Sequence, residues 1–215
     1  MIASRAMLHA MSIKGTVAVR CPSCGTSHEA ALVQSINART EPELVGQLLA
    51  GELNVLACQC GRRTRLEATL LFHDPDRDYY CQACPGGEAA MAEGARAFAT
   101  IGMTGTRRLV PSQNALLEKV LILRAGLDDA IVEVLKVILL ASRGDDLDRV
   151  LLFALVDDAN HIVWQLPDQE RTIASPLDGY TKLAASKPPA PKPDELRIDR
   201  VWAIEAARAL TESAS

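Results

Sequence analysis

Six cysteines fall in three close pairs: Cys21 and Cys24 in "VRCPSCG", Cys58 and Cys60 in "ACQCG", and Cys81 and Cys84 in "YYCQACP". Cysteines that merely fill a core have no reason to pair. A metal supplies one. Four thiolates about 2.3 Å from a tetrahedral zinc lie roughly 3.8 Å from one another, so a short spacing followed by a tight turn brings each pair into reach. Gly25 and Gly61 follow the second cysteine of the first two pairs and supply the permissive backbone such a turn needs. Four thiolates on one divalent ion leave a net charge of about −2, which Arg20, Arg62 and Arg63 beside the cysteines are placed to offset. Solvated arginines at strand ends account for the same residues equally well. A site closed by four sulfurs has no position left for substrate, and its binding free energy, on the order of 10 kcal/mol, becomes folding free energy.

The second pair fits this scheme least comfortably. Cys58-Gln59-Cys60 has one intervening residue, and in an extended strand its two side chains stand roughly 6.5–7 Å apart on one face. The chain has to bend there. Cys81-Gln82-Ala83-Cys84 has redox spacing, but a reactive pair draws its low pKa from a helix N-terminus directly behind it. Pro85-Gly86-Gly87 does not announce such a helix, so redox chemistry is the weaker reading.

The composition sets the surroundings. Of the 215 residues, 48% are hydrophobic and 23% charged, the balance of a soluble globular chain, and only 4% are aromatic, so Leu, Val, Ile and Ala must build the core. The net charge of −4 argues against a general nucleic-acid coat. The N-terminal "MIASRAMLHAMSIKG" lacks a continuous apolar core and a cleavage signature. The most apolar stretch, Leu116 to Ala141, contains Glu118, Lys119, Arg124, Asp128, Asp129, Glu133 and Lys136, which predicts buried helix and no membrane span. A cytoplasmic, reducing compartment is therefore expected, where cysteine pairs bind metal more often than they form disulfides.

Along the chain, Thr16 to Val19 and "HEAALVQSIN" are expected strands. Thr40 followed by Glu43 is a capping-box pattern opening a helix that carries Leu44, Val45, Leu48 and Leu49 and stops at Gly51. "NVLACQCG" and "RRTRLEATLLFHD" are the next strands. "CPGGEAAMAEGARAFATIGMTGT" is read as loop with at most a short helix. Two helices follow, Ser112 to Gly126 and Asp128 to Gly144. "RVLLFALV" and "HIVWQLP" form a hairpin about "DDAN". After the proline-rich "SKPPAPKP", a last helix presents Val201, Trp202, Ile204, Ala207 and Leu210.

In this order "VRCPSCG", "GELNVLACQCG", "LEATLLFHD" and "LLEKVLILRAGLDDAIVEVLK" resemble the CpXC family of bacterial and archaeal proteins, over roughly residues 13–141. The resemblance implies metal binding, with no reaction attached. The family's second motif also has two residues between its cysteines, and with Cys60-Gly61 aligned to it Ala57 occupies the other cysteine's place. Three arrangements stay open: a site from the first two pairs, a site recruiting Cys81 or Cys84, or two separate metals.

Other candidates are weaker. His28 and His73 are possible ligands or bases, and His73-Asp74-Pro75-Asp76 resembles a hard-metal cluster, though strand end and turn explain it. Thr104 to Arg108 offers a glycine and two arginines to a phosphate. Asp128 and Asp129 form a carboxylate pair that helix capping also explains. Arg62, Arg63 and Arg65 lack the interleaved aromatics that stack bases. No phosphate loop, nucleophile elbow or H-E-x-x-H is present.

These readings converge on an α+β chain: a zinc-binding portion over residues 13–141 with a zinc-ribbon-like β part packed on helices, a β-hairpin and short helix over 142–186, a linker over 187–193 and a helix over 194–215. The expected ligands are Cys21, Cys24, Cys58 and Cys60, the expected cofactor is zinc, and the expected partner is another protein. The competing functions are a nucleic-acid-binding ribbon and an enzyme with an open zinc position or a redox pair.

Overall fold

The computed structural model describes residues 13–101 and 104–213. The segment read above for an export signal, and the end of the 194–215 segment, lie outside them. The fold is α+β, and by contact the chain divides into two compact units, residues 1–117 and 118–215, the boundary falling within one helix.

The first unit opens with an antiparallel hairpin of β1 (Lys14–Arg20) and β2 (Ser27–Val33), paired from Lys14–Val33 to Arg20–Ser27. The predicted strand through Asn37 is interrupted at Gln34, and β3 (Ser35–Asn37) joins a different sheet. Helix α1 (Pro42–Leu49) follows, burying Val45 and Leu48. Its N-cap is Glu41, with no side-chain cap; Pro42 occupies the first turn, so the capping box expected at Thr40 does not form. A second small hairpin pairs β4 (Val55–Ala57) with β5 (Arg63–Arg65).

The stretch from Arg62 to Asp74 is not one strand. It serves β5 first and then β6 (Leu70–Asp74), which lies in a four-stranded mixed sheet with β3, β7 (Tyr79–Ala83) and β8 (Thr106–Val110), in the order β3-β6-β7-β8. The region expected to be mostly loop is helix α2 (Gly87–Ile101). Alanine favours helix strongly, and the glycine that weakened the sequence signal has a packing role. A Cβ on Gly94 would meet Gln82, Leu109 and Cys84 at 3.0–3.2 Å, so its absence lets α2 lie close on the sheet.

The Thr104–Arg108 segment is not a phosphate cradle. Gly105 adopts a positive φ of 81° and packs against Asp78 so closely that any Cβ would overlap it, while Thr106 donates its N–H to the Asp78 carbonyl. His73 is buried and stacks on Tyr80 with ring centroids 4.3 Å apart. Asp74 takes an ion pair from Arg77, and Asp76 one from Arg39. That stretch is a strand end and a turn.

Helix α3 (Gln113–Arg124) crosses the boundary between the units. The second unit continues with α4 (Asp129–Ser142), a sheet of β9 (Leu152–Val156), β10 (His161–Leu166) and β11 (Arg171–Pro176), α5 (Leu177–Ala185) and α6 (Arg200–Ser213). The expected hairpin acquires a third strand, β11, paired with the far side of β10. Its turn is held by Asp157, whose side chain accepts from the N–H groups of Ala159 and His161.

The core is almost wholly aliphatic around Trp164, which meets Phe153 edge-on and donates Nε1–H to Ser175. Ala203 and Ala206 bring α6 onto this core, and the expected Trp202, Ile204, Ala207 and Leu210 pack against it partly buried, while Val201 is exposed. Small residues at the contact let helices approach more closely than the larger ones can.

Five of the charges within the apolar stretch, Glu118, Lys119, Asp129, Glu133 and Lys136, are buried and paired. Asp128 caps α4 through the N–H groups of Ala130 and Ile131, whereas Asp129 pairs with Lys119 at 2.9 Å. Lys119 also meets Glu133 at 3.0 Å and donates to the Ile198 carbonyl at 3.1 Å. Lys136 bridges Glu118 at 2.6 Å and Glu133 at 3.0 Å, and Glu118 accepts the Phe153 N–H. Among the described residues no helix is long and apolar enough to cross a membrane.

Burial opposes charge on Glu133, but Lys119 and Lys136 outweigh it and hold its carboxyl below the ordinary value. A depressed carboxyl stabilises the fold above its unfolded-state pKa, about 4.3, and that contribution disappears as pH falls through the folded-state value. Stability to urea is therefore expected to fall with acidification below about pH 5. Lys136→Met takes the lysine from the buried Glu118 carboxylate, while Glu133 keeps Lys119, and is expected to cost about 3–5 kcal/mol. A urea midpoint equal to that of the parent protein would refute this role.

Candidate metal centre

Each of the two small hairpins carries one cysteine pair in its turn. In the first, Arg20 pairs with Ser27 and the chain between them closes by two backbone bonds: Cys21 N–H to the Thr26 carbonyl at 2.8 Å and Gly25 N–H to the Cys21 carbonyl at 2.9 Å. In the second, Ala57 pairs with Arg63, Cys58 N–H reaches the Arg62 carbonyl at 2.8 Å, and Gly61 N–H reaches the Cys58 carbonyl at 2.9 Å. The two turns share one plan, and the second is a residue shorter. Where the first closes from i to i+4, the second closes from i to i+3 as a tight turn. This resolves the single-residue spacing: β4 ends at Ala57, so Cys58 and Cys60 never occupy extended strand. Gly25 and Gly61 both have positive φ, 75° and 85°, the left-handed conformation that closes each turn.

Asn54, just before β4, ties the hairpins together. Its side-chain oxygen accepts the Val33 N–H at 2.8 Å, its amide donates to the Val33 carbonyl at 2.9 Å, and its own carbonyl accepts the Leu66 N–H. The end of β2 is thereby fixed to both ends of the β4–β5 hairpin. The sequence reading missed Asn54; a buried asparagine with positive φ has no distinctive signature in a single sequence.

The sulfurs of Cys21, Cys24, Cys58 and Cys60 all lie within 4.8 Å of one another. Cys21 and Cys60 are 3.8 Å apart and Cys24 and Cys58 3.5 Å apart, close to the edge of a tetrathiolate tetrahedron. Four close cysteines of this geometry can hold a metal ion. Cys21 and Cys58 are buried, while Cys24 and Cys60 are exposed.

Cys81 and Cys84 are fully buried in and beside β7. Three residues apart on an extended chain, they project to opposite faces of the sheet. Helix α2 does begin at Gly87, contrary to the expectation from Pro85-Gly86-Gly87. Even so, burial pushes the Cys84 thiol up, the opposite of what a reactive thiol needs. A groove of about 340 Å³ on this part of the unit, lined by Gln34, Thr69, Gln82, Glu93 and Gly94, contains none of the four clustered cysteines.

Protein dipoles already favour thiolates at the cluster. The N–H groups of Cys24 and Ser23 lower Cys21. The Thr26 hydroxyl, 3.3 Å from Cys24 Sγ, together with the Thr26 N–H brings Cys24 down to about 6. The Cys60 N–H favours a thiolate at Cys58, but burial and the adjacent cysteines push that thiol up to about 12. Protons are shared unequally in the metal-free cluster, and a cation that took all four sulfurs would expel those that remain.

Two of the flanking arginines, Arg20 and Arg63, act elsewhere. Arg20 donates Nε–H to the Gly25 carbonyl at 2.9 Å, bracing the first turn, and Arg63 pairs with Glu52. Arg65 binds Asn114 and the Gly51 carbonyl. Besides Thr26, a side chain that reaches a sulfur of the cluster is His28, whose Nε2 lies 3.2 Å from Cys58 Sγ.

The family model for the CpXC protein matches residues 19–136, more than half of the chain. The chain belongs to the CpXC family. No curated protein and no solved structure gives a significant match. The first CpXC motif is Cys21-Pro22-Ser23-Cys24. In the second cysteine pair Ala57 is exposed, while the Cys58 sulfur lies 3.5 Å from that of Cys24.

Gly61→Ala forces an alanine into left-handed backbone where no neighbouring atom resists it sterically. The expected strain of about 1–2 kcal/mol corresponds to roughly tenfold or greater weakening of metal affinity in chelator competition. Gly61→Asn should lose much less, because asparagine tolerates that conformation. Asn54→Ala, which leaves both polar groups of Val33 without their partner, should lower the unfolding midpoint by about 2–4 kcal/mol.

Proposed function

We propose that this CpXC protein is a zinc-stabilised interaction module, in which one zinc ion held by Cys21, Cys24, Cys58 and Cys60 fixes a zinc-ribbon-like pair of hairpins as a recognition surface for another protein. The observation that carries the reading is the convergence of four sulfurs from two separate turns within 4.8 Å. All four corners of a tetrahedron are then filled by protein, and four thiolate donors at this spacing suit zinc.

The cluster supports a structural role. The strands that carry it are short, with β4 and β5 only three residues each, and no residue of either is fully buried. Hairpins of that size do not stand alone in water. The metal provides the crosslink that a hydrophobic core would otherwise supply. The arginines that would track a nucleic-acid backbone are instead occupied, Arg63 by Glu52 and Arg65 by Asn114, which favours a protein partner over a phosphate backbone.

Elemental analysis of the purified full-length chain is expected to give one zinc per molecule. Serine at position 21, 24, 58 or 60 should abolish stoichiometric metal, while Cys81→Ser and Cys84→Ser should leave it intact. Chelation should lower the unfolding midpoint of the parent protein and have little effect on the Cys21→Ser variant. Full zinc content in Cys21→Ser, or cooperative unfolding of a metal-free parent that ignores chelator, would overturn the proposal. Salt-sensitive retention on DNA or RNA, lost on removing the β5 arginines, would replace the protein partner with a nucleic acid.

A further inference from the structure

We propose that His28 is a positioning residue of the metal centre, donating its Nε2–H to the Cys58 thiolate from outside the ligand shell. The inference rests on the metal-centre reading and extends it to a residue beyond the four cysteines.

Four thiolates on one divalent ion carry a net charge of about −2, and such a cluster is held by hydrogen bonds to its sulfurs. The backbone supplies part of this: N–H groups of Ser23 and Cys24 turn to Cys21, that of Thr26 to Cys24, and that of Cys60 to Cys58. Two side chains add to it, the Thr26 hydroxyl at Cys24 and the His28 imidazole at Cys58. Arg20 and Arg63 are turned to the Gly25 carbonyl and to Glu52.

His28 is well placed for this. It sits in β2 directly opposite Val19, one pair above the turn that bears Cys21 and Cys24, and is half-buried. From there its ring crosses to the other hairpin and meets Cys58 at 3.2 Å, well inside the 4.0 Å reach of a sulfur hydrogen bond. The contact therefore joins the first hairpin to a ligand from the second. Cys58 also belongs to the pair with a single intervening residue, where Cys21 and Cys24 have two. Its turn is a residue shorter than that of Cys21 and Cys24, and a donor from the other hairpin fixes where the thiolate points. The role requires the tautomer with hydrogen on Nε2.

The test compares the full-length protein with His28→Phe and His28→Gln, using zinc competition against a chromophoric chelator and the absorption spectrum of the cobalt(II)-substituted forms. All three are expected to bind one metal. His28→Phe should bind zinc about 10–100-fold more weakly and shift the sulfur-to-cobalt charge-transfer band to lower energy, because an unbonded thiolate is the better electron donor. His28→Gln, whose amide N–H occupies nearly the same place as Nε2–H, should recover most of the affinity and the band position.

Unchanged affinity and spectrum in His28→Phe would overturn the inference while leaving the four-cysteine centre standing. A parent cobalt spectrum with three thiolates and one nitrogen would overturn it differently, by making His28 a ligand in place of a cysteine. A parent protein that takes up no metal would remove the underlying reading and this one with it.

Discussion

The short hairpins of the first unit depend on four sulfur atoms meeting at one point. Neither β1–β2 nor β4–β5 has a two-sided core: the first alternates between exposed and half-buried residues along β1, and the second spans three residues a strand. Thiolates so close repel each other, and protons or a cation must share the site for the turns to stay together. The backbone has prepared for this, since both turns direct N–H groups at their leading cysteines. Asn54 adds a second link between the hairpins, independent of sulfur, by taking both polar groups of Val33.

Much of this plan was legible before any coordinates. Close cysteine pairs followed by glycine announce turns with thiols on one side, and α3 and α4 were plain from their periodicity and their terminal residues. The details that were not legible share a physical origin. The break between β5 and β6 is decided by which sheet offers a partner, and alternation along Arg62 to Asp74 reads the same in either case. Helix α2 was obscured by Gly94, which looks like a helix breaker in sequence and is a contact residue in space. The capping box at Thr40 lost to Pro42, whose fixed φ suits the first turn. Arg20 and Arg63 looked like counter-charges because they flank the cysteines, but they turn to the Gly25 carbonyl and to Glu52.

The second unit solves a different problem. An apolar helix hairpin with five buried ionic groups would be costly if any of them were alone. The two lysines and three carboxylates share their partners, and the Phe153 N–H and Ile198 carbonyl complete the set. Replacing the whole network by well-packed apolar residues would cost little in stability.

The Ile198 carbonyl is the main-chain acceptor of that network, and it lies well beyond residue 136, where the family match ends. An ammonium has three protons, and Lys119 uses them on Asp129, Glu133 and this oxygen. A peptide oxygen is the same whatever residue bears it. The attachment point of the tail is thus indifferent to the chemical identity of its side chain and sensitive only to the length of chain leading up to it. A family can graft terminal helices of unrelated composition onto such a socket, provided the spacing delivers an oxygen to the waiting amine.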